Sequence, residues 1–201
     1  MSFHPTMAYD ATFHKSTRTL GEAGEPFEYT TERRARFDEI VTRYPPDRRR
    51  SALLPALHLV QDQQGHISAA AMRYVAGLVG VTPAEVEGVV TYYTMFRTRP
   101  AGRFVLQVCR TLSCALSGAE RVTEQISRTL GIKVGETDPT GTFTLMEMEC
   151  LGACDRAPVV MVNNDHWHEC QSPEEAGRLL EALKAEGEAA LSGCHLSRDQ
   201  K

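Results

Sequence analysis

Apolar residues recur along this chain with two different periods, and the change from one to the other falls near residue 100. Residues 1–30 show neither period and are rich in Thr, Ser, Gly and Glu, which reads as a flexible tail, or as an arm ordered only by a partner. From residue 31 the spacing is helical. Thr31 to Tyr44 carries Ala35, Phe37, Ile40, Val41 and Tyr44, and Pro45-Pro46 stops it. A second helix is expected from about Arg49 to Gln64, with Leu53, Leu54, Leu57 and Val60 on one side. Pro55 must lie in its first turns or kink it, and Gly65 ends it. Ser68 starts a third, with Met72, Val75, Ala76 and Val79 before Gly80. The fourth begins with Thr82 as N-cap, Pro83 in the first helical position and Glu85 completing a capping box. It runs through Val86, Val89, Val90 and Tyr93 toward Phe96, ending before Pro100. Tyr92, Tyr93 and Phe96 are expected to supply core, with one ring exposed. Four short antiparallel helices make a small bundle over residues 31–100.

Past Pro100-Ala101-Gly102 the pattern changes. Arg103 to Val108 alternates as a strand. Ser117 with Glu120 reads as a capping box opening a helix with Val122, Ile126 and Leu130 inward and Gly131 as its stop. Thr142 to Met148 and Val159 to Val162 read as strands, and Asp165 to Glu169 as a short further element. Ser172, Pro173 and Glu175 start a last helix bearing Ala176, Leu179, Leu180 and Leu183. This β-α-β-β-(β)-α order describes a small layered α+β or α/β domain over residues 101–186, followed by a tail over 187–201. The Ala157-Pro158 bond takes the trans form by default.

The 201 residues, 42% apolar and 24% charged, suit one domain or two small ones with a real core. A net charge of −4 excludes a generally basic nucleic-acid binder. No run approaches the roughly 18 apolar residues of a membrane helix. Met1–Asp10 lacks the basic-then-apolar pattern of a secretory signal. Charge is uneven: residues 1–134 carry 17 basic and 13 acidic side chains, residues 135–201 carry 5 and 13. The basic excess gathers in Arg33, Arg34, Arg36, Arg43 and Arg48-Arg49-Arg50. It reads first as a solvated helical surface, and alternatively as a docking face for a partner subunit.

Six cysteines without a secretory signal point to metal or redox chemistry. Cys109 and Cys114 form C-x4-C just past the first strand, and Cys150 and Cys154 form C-x3-C just past the second. If those strands are neighbours, both pairs leave the same end of the sheet and four thiolates converge on one inorganic centre. The Gly152-Ala153 step keeps the second loop small. Two centres fit: a structural Zn site, or a [2Fe–2S] cluster with two thiolates per iron. Spacing alone leaves both open. A thioredoxin-type dithiol is disfavoured, because there is no C-x-x-C.

Longer motifs carry more. Tyr44-Pro-Pro with Ser51-Ala-Leu-Leu-Pro-Ala-Leu-His-Leu-Val-Gln, Val89-Val-Thr-Tyr-Tyr-Thr-Met-Phe, Val108-Cys-Arg-Thr-Leu-Ser-Cys and Glu149-Cys-Leu-Gly-Ala-Cys-Asp-Arg-Ala-Pro-Val-Val-Met-Val-Asn occur in that order. Over about residues 31–185 the chain resembles the 24 kDa-type [2Fe-2S] iron–sulfur subunits of NADH:quinone oxidoreductase, respiratory complex I. The resemblance implies an α+β protein, an N-terminal four-helix bundle followed by a thioredoxin-like [2Fe–2S] ferredoxin domain. It implies one [2Fe–2S] cluster held by Cys109, Cys114, Cys150 and Cys154. It also implies single-electron exchange with FMN on a partner NADH-binding flavoprotein subunit, within a multisubunit complex. The location implied is cytoplasmic, at the periphery of the plasma membrane through that complex. No G-x-G-x-x-G fingerprint is present, in keeping with a flavin and nucleotide held elsewhere. Arg110 and Arg156 flank ligand positions and would favour a reduced, more negative cluster; Glu147, Glu149 and Asp155 would oppose them. Similar subunits serve NAD-linked hydrogenases and formate dehydrogenases, which stand as the alternative assembly. Outside redox chemistry, the alternative is a structural Zn-binding interaction module.

The remaining candidates read more plainly. Cys170 and Cys194 are surplus thiols, with a disulfide between them disfavoured in a reducing compartment. His166 and His168 flank Trp167 and read as surface imidazoles, with metal binding as the lesser option. No Ser-His-Asp set, P-loop or paired catalytic carboxylates stand out.

Overall fold

The computed structural model describes residues 25–191, and the chain divides into two compact units at Pro100/Ala101. In the first, α1 (Thr31–Val41), α2 (Leu53–Gln64), α3 (Ala69–Val79) and α4 (Pro83–Tyr92) share one apolar cluster built on Phe37, Leu57, Val60, Met72, Val75, Val86 and Phe96. The helix ends follow local chemistry. Ser68 and Thr82 turn their hydroxyls to the third amide of α3 and α4, the full capping box at Thr82–Glu85 forms, and Gly65 and Gly80 close α2 and α3 in the left-handed region. Pro55 sits in the first turn of α2, where its missing N–H costs nothing. Residues ahead of it, Pro46–Ala52, form a 3-10 segment instead of the expected start of α2, with Arg48 off helical geometry. Likewise α1 ends at Val41, three residues before Tyr44, because Thr42 and its neighbours tighten into turns before the two prolines.

Two expectations are corrected in this unit. Residues 25–30 were expected in a free arm, yet Phe27 packs against the core and Tyr29 is buried, donating its hydroxyl to the Ala56 carbonyl at 2.7 Å. The rest of that arm lies outside the described residues. Of the α4 aromatics only Phe96 is buried; Tyr92 is 79% exposed and Tyr93 partly so, since α4 stops at Tyr92 and the chain turns Phe96 inward alone. The arginine-rich surface is largely internally paired: Arg33 with Asp62, Arg34 with Asp38, and Arg36 and Arg43 with Glu39.

The second unit is a mixed α+β layer. Its four-stranded sheet has the order β2-β1-β3-β4, with β1 (Phe104–Cys109) and β2 (Phe143–Met148) parallel and β3 (Val160–Val162) and β4 (His166–His168) antiparallel additions. Every residue of β1 is buried, as suits a central strand covered on both faces. A short α5 (Leu112–Leu116) and α6 (Ala119–Leu130) make the crossover from β1 to β2, and α7 (Pro173–Glu186) packs beside α6. The capping box at Ser172–Glu175 forms as expected. The one at Ser117–Glu120 does not. Ser117 ends α5, and Gly118 (φ 95°) is the N-cap of α6, so the serine is one residue too early to reach the helix amides. The expected tail begins as a 3-10 segment, Gly187–Leu191, that buries Leu191; residues 192–201, Cys194 among them, lie outside the described residues.

Two polar devices bind the hairpin to β1. Asn163 and Asn164 form the tight β3–β4 turn with positive φ at both positions. Asn163 accepts from the Val105 N–H at 2.8 Å and donates to the Arg103 carbonyl, while the buried Gln107 amide exchanges hydrogen bonds with Asn164 at 2.6 and 2.9 Å. Just ahead of β1, Gly102 lies so close to β2 that a Cβ would meet Phe143 backbone atoms at 2.8 Å. Gly102→Ala is therefore expected to lower stability by roughly 1–3 kcal/mol, because backbone cannot step aside as a side chain can. Ser172→Ala, which removes only a cap, should cost about 1 kcal/mol. Urea denaturation of the two variants should rank them in that order.

Candidate metal centre

The site follows from the parallel pairing of β1 and β2. In register, Cys109 stands opposite Met148, so the two strands end together and both cysteine-bearing loops leave the same end of the sheet. Two backbone bonds hold the exits in place: Cys109 N–H donates to the Val159 carbonyl at 3.0 Å, and Arg110 N–H to the Met148 carbonyl at 2.9 Å. Trp167 on β4 donates its indole N–H to the Leu151 carbonyl at 3.1 Å, pinning the second loop between its cysteines. Gly152 supplies the positive φ (84°) that lets that loop close on itself.

The first loop is helical, which the apolar pattern does not reveal. It runs through α5, whose N-cap is Thr111 and whose interior carries Cys114. Leu112 and Leu116 point outward, 74% and 81% exposed, on either side of Cys114. Cys109 and Cys114 are buried, whereas Cys150 and Cys154 are exposed.

All four thiols interact. The Cys150 and Cys154 sulfurs are 3.4 Å apart. Cys109 and Cys114 influence each other's ionisation, and Cys109 also feels Cys150 and Cys154 across the loops. Within each pair one thiol is the better acid. Burial works against ionising Cys109, but it is outweighed by the Thr111 hydroxyl, the Thr111 and Leu151 amides and the Cys114 thiol, which together hold it below the ordinary thiol range. Its partner Cys114 is pushed up to about 11 by burial and by Cys109 itself. The Gly152 amide and the Cys154 thiol lower Cys150, and the Cys150 sulfur raises Cys154.

Backbone amides of Thr111, Leu151, Gly152 and Val159 thus face sulfur at three of the four cysteines. Such a ring of N–H donors favours thiolate. The donor set fits a [2Fe–2S] cluster: four sulfurs in two close pairs, one pair from each loop, with amide donors to sulfur already in place. Among the described residues, no three His, Cys, Asp or Glu groups are placed to hold a single metal ion.

Other sequence candidates are placed away from this role or neutralised. Arg110 pairs with Glu149 at 2.7 Å and with Glu147 at 4.0 Å, and Arg156 with Asp155 and Glu169 at 3.7 Å. The charges expected to oppose each other across the site do so as ion pairs. Cys170 is an exposed free thiol with φ 51°. The Ala157–Pro158 peptide, expected trans, is cis, tertiary context choosing between isomers that differ little in energy before proline. His166 and His168 are half-buried on one face of β4, not the surface imidazoles expected, because β4 is a paired strand. The Thr111 hydroxyl, beside Cys109, carried no sequence signal beyond its place between the first two cysteines.

Three comparisons bear on the site. The sequence profile of the thioredoxin-like [2Fe-2S] ferredoxins matches residues 37–184. NADH-quinone oxidoreductase subunit 2 of Thermus thermophilus is 43% identical over 74% of this chain and 82% of its own length. An NADH-quinone oxidoreductase subunit of Mycobacterium tuberculosis is 41% identical over 81% of this chain and 65% of its own. In fold, 67% of this chain matches 23% of a chain of an NAD+-reducing [NiFe]-hydrogenase, with a TM-score of 0.58 at 20% identity.

Burial, with His166 beside it, pushes His168 down to about 4. An unfolded imidazole titrates near 6.5, so between about pH 6.5 and 4 the unfolded chain binds the extra proton. Stability should therefore fall as pH is lowered through that window and be fully present above it. Urea midpoints recorded from pH 7 to 5 should decline for the wild type and decline less for His168→Gln; equal slopes would show that His168 is not buried in the neutral form.

Proposed function

The chain belongs to the thioredoxin-like [2Fe-2S] ferredoxin family, and from that premise we propose that it is the electron-transfer subunit of an NADH:quinone oxidoreductase. Its single [2Fe–2S] cluster would be held by Cys109, Cys114, Cys150 and Cys154. The observation that carries this reading is the emergence of all four thiols, as two close pairs, from one end of the parallel β1–β2 pair.

When bound, such a cluster takes up and releases one electron at a time. NADH gives up two as a hydride, so a flavin must stand between them. That flavin is FMN on a partner NADH-binding flavoprotein subunit. This chain's own residues perform the remaining tasks. Buried Cys109 and Cys114, at the end of β1 and inside α5, would hold the centre from the first loop. Exposed Cys150 and Cys154 would hold it from the second. Amides of Thr111, Leu151, Gly152 and Val159 stabilise negative charge on sulfur without bringing in a formal positive charge. Leu112 and Leu116 offer apolar surface beside Cys114, suited to excluding water under a partner.

The N-terminal helices are read as a four-helix bundle, residues 31–100, joined to the cluster domain over residues 101–186. Among the described residues no helix is long and apolar enough to cross a membrane. Attachment to the membrane would come through the other subunits of the complex. One further reading has an observation in its favour. The fold likeness to the NAD+-reducing hydrogenase chain suits a diaphorase subunit feeding a different enzyme. Co-purification decides between them, by whether quinone-reductase or hydrogenase subunits accompany the chain. A structural Zn module is told apart by metal content: one zinc without acid-labile sulfide in place of iron and sulfide.

Purified anaerobically, the full chain should carry two irons and two acid-labile sulfides and give an S = 1/2 EPR signal after dithionite. Cys109→Ser, Cys114→Ser, Cys150→Ser and Cys154→Ser should each lose or disrupt the cluster, while Cys170→Ser keeps it. Normal iron and sulfide with an unaltered EPR signal in any of the four would break the ligand assignment.

A further inference from the structure

Among the described residues, five helices have a Ser or Thr in the N-cap position, and one of them behaves differently. Thr30, Ser68, Thr82 and Ser172 each turn the side-chain oxygen to the amide three residues on, as an N-cap does. Thr111, the N-cap of α5, makes no such bond. Its hydroxyl lies 3.2 Å from the Cys109 sulfur instead. The side chain gives up a cap worth about 1 kcal/mol elsewhere and faces the Cys109 sulfur.

The backbone explains why it can do so. Thr111 has extended geometry (φ −79°, ψ 167°), and its carbonyl already accepts from the Ala115 N–H at 3.0 Å, so the first turn of α5 is held without the hydroxyl. Two residues after Cys109 and three before Cys114, it is half-buried at the point where the two loops meet.

Resting on the cluster assignment above, we infer that Thr111 is a positioning residue that tunes the cluster. Its hydroxyl donates a hydrogen bond to the Cys109 sulfur and raises the reduction potential. A thiolate bound to iron has no proton, so the hydroxyl must be the donor. Reduction adds one negative charge shared over iron and sulfur, and a fixed donor at sulfur stabilises the reduced form more than the oxidised one. The rim charges are poorly placed to do the same, because Arg110 and Arg156 are already paired with acidic neighbours.

The test uses the full chain with its cluster, in four forms: wild type, Thr111→Val, Thr111→Ala and Thr111→Ser. The midpoint potential is read by EPR-monitored redox titration, and the Fe–S(Cys) stretches by resonance Raman in H2O and D2O. Thr111→Val and Thr111→Ala should load two irons and two sulfides and titrate at a more negative potential than wild type. Thr111→Ser should restore the wild-type value, which a purely structural role of the threonine methyl would not allow. In the wild type a cysteinyl Fe–S band should shift on deuteration, and that shift should shrink in Thr111→Val. A fully loaded Thr111→Val or Thr111→Ala with the wild-type midpoint would overturn the tuning role while leaving the cluster assignment intact. If neither variant loads, a wild-type Raman spectrum indifferent to D2O would overturn it equally. A wild-type chain without iron and sulfide would overturn the assignment itself.

Discussion

The parallel register between β1 and β2 is the constraint on which the site depends. Side chains of a strand change face at every residue, so a slip of one position would send Cys109 to the opposite side from its present neighbours. With Cys109 opposite Met148, the two chain exits lie side by side, and loops of only four and three intervening residues suffice to bring sulfur to sulfur. Parallel strands need a crossover between them, and here the crossover itself begins with the cysteine loop. Thus α5 is at once part of the first cysteine loop and the start of the return path to β2.

Other features of the second unit hold that register. The sheet centre, Phe104, Leu106, Val108, Phe143 and Leu145, is covered by Val122, Ile126, Leu180 and Leu183 of α6 and α7. Apolar burial of this sort is strong but tolerant of sliding. Directional bonds are not. Gln107 sits two residues before Cys109, and its buried amide is satisfied only by Asn164 in the β3–β4 turn. Misplacing the hairpin would strand that amide at a cost of about 1–3 kcal/mol. The hairpin in turn carries the Val159 carbonyl that receives the Cys109 N–H, and Trp167, which fixes Leu151 between the other two cysteines. The core supplies the stability, and these polar contacts set which residue faces which.

Much of this is legible in the residues, wherever a local signal has a local cause. Pro83 with Thr82 and Glu85, and Pro173 with Ser172 and Glu175, mark helix starts because both partners of each capping bond lie within one turn. Gly65, Gly80 and Gly131 mark helix ends for the same reason. The cysteine loops are legible because each directly follows a strand. What is not legible depends on contacts distant in sequence or on too few residues. The five residues of α5 leave Leu112 and Leu116 exposed, so no apolar period announces a helix. Ser117 looks like a cap until Gly118 takes the role with a positive φ that no pattern of side chains encodes. Phe27 and Tyr29 look like part of a free arm because their partners, Tyr74 and Ala56, lie tens of residues away.

The exposure of the four sulfurs is unequal, and that inequality is itself suited to electron transfer. A centre buried on all sides would be shielded from any partner, while one open on all sides would lose its sulfurs to oxidation and exchange. Here the pair on β1 and α5 is buried, and the pair on the β2 loop is exposed. The open side is bordered by the paired charges of Arg110 and Glu149 and by the bare leucines of α5. Exposed ion pairs add little stability of their own. They do leave neither Arg110 nor Arg156 as an isolated positive charge, so stabilising negative charge on the sulfurs falls to short-range donors: the loop amides and the Thr111 hydroxyl. A donor of that kind is set by backbone geometry and is insensitive to salt, whereas surface charge is screened within about 10 Å at 0.1 M ionic strength. Charge on the sulfurs is therefore governed by the same loop geometry that gathers the thiols.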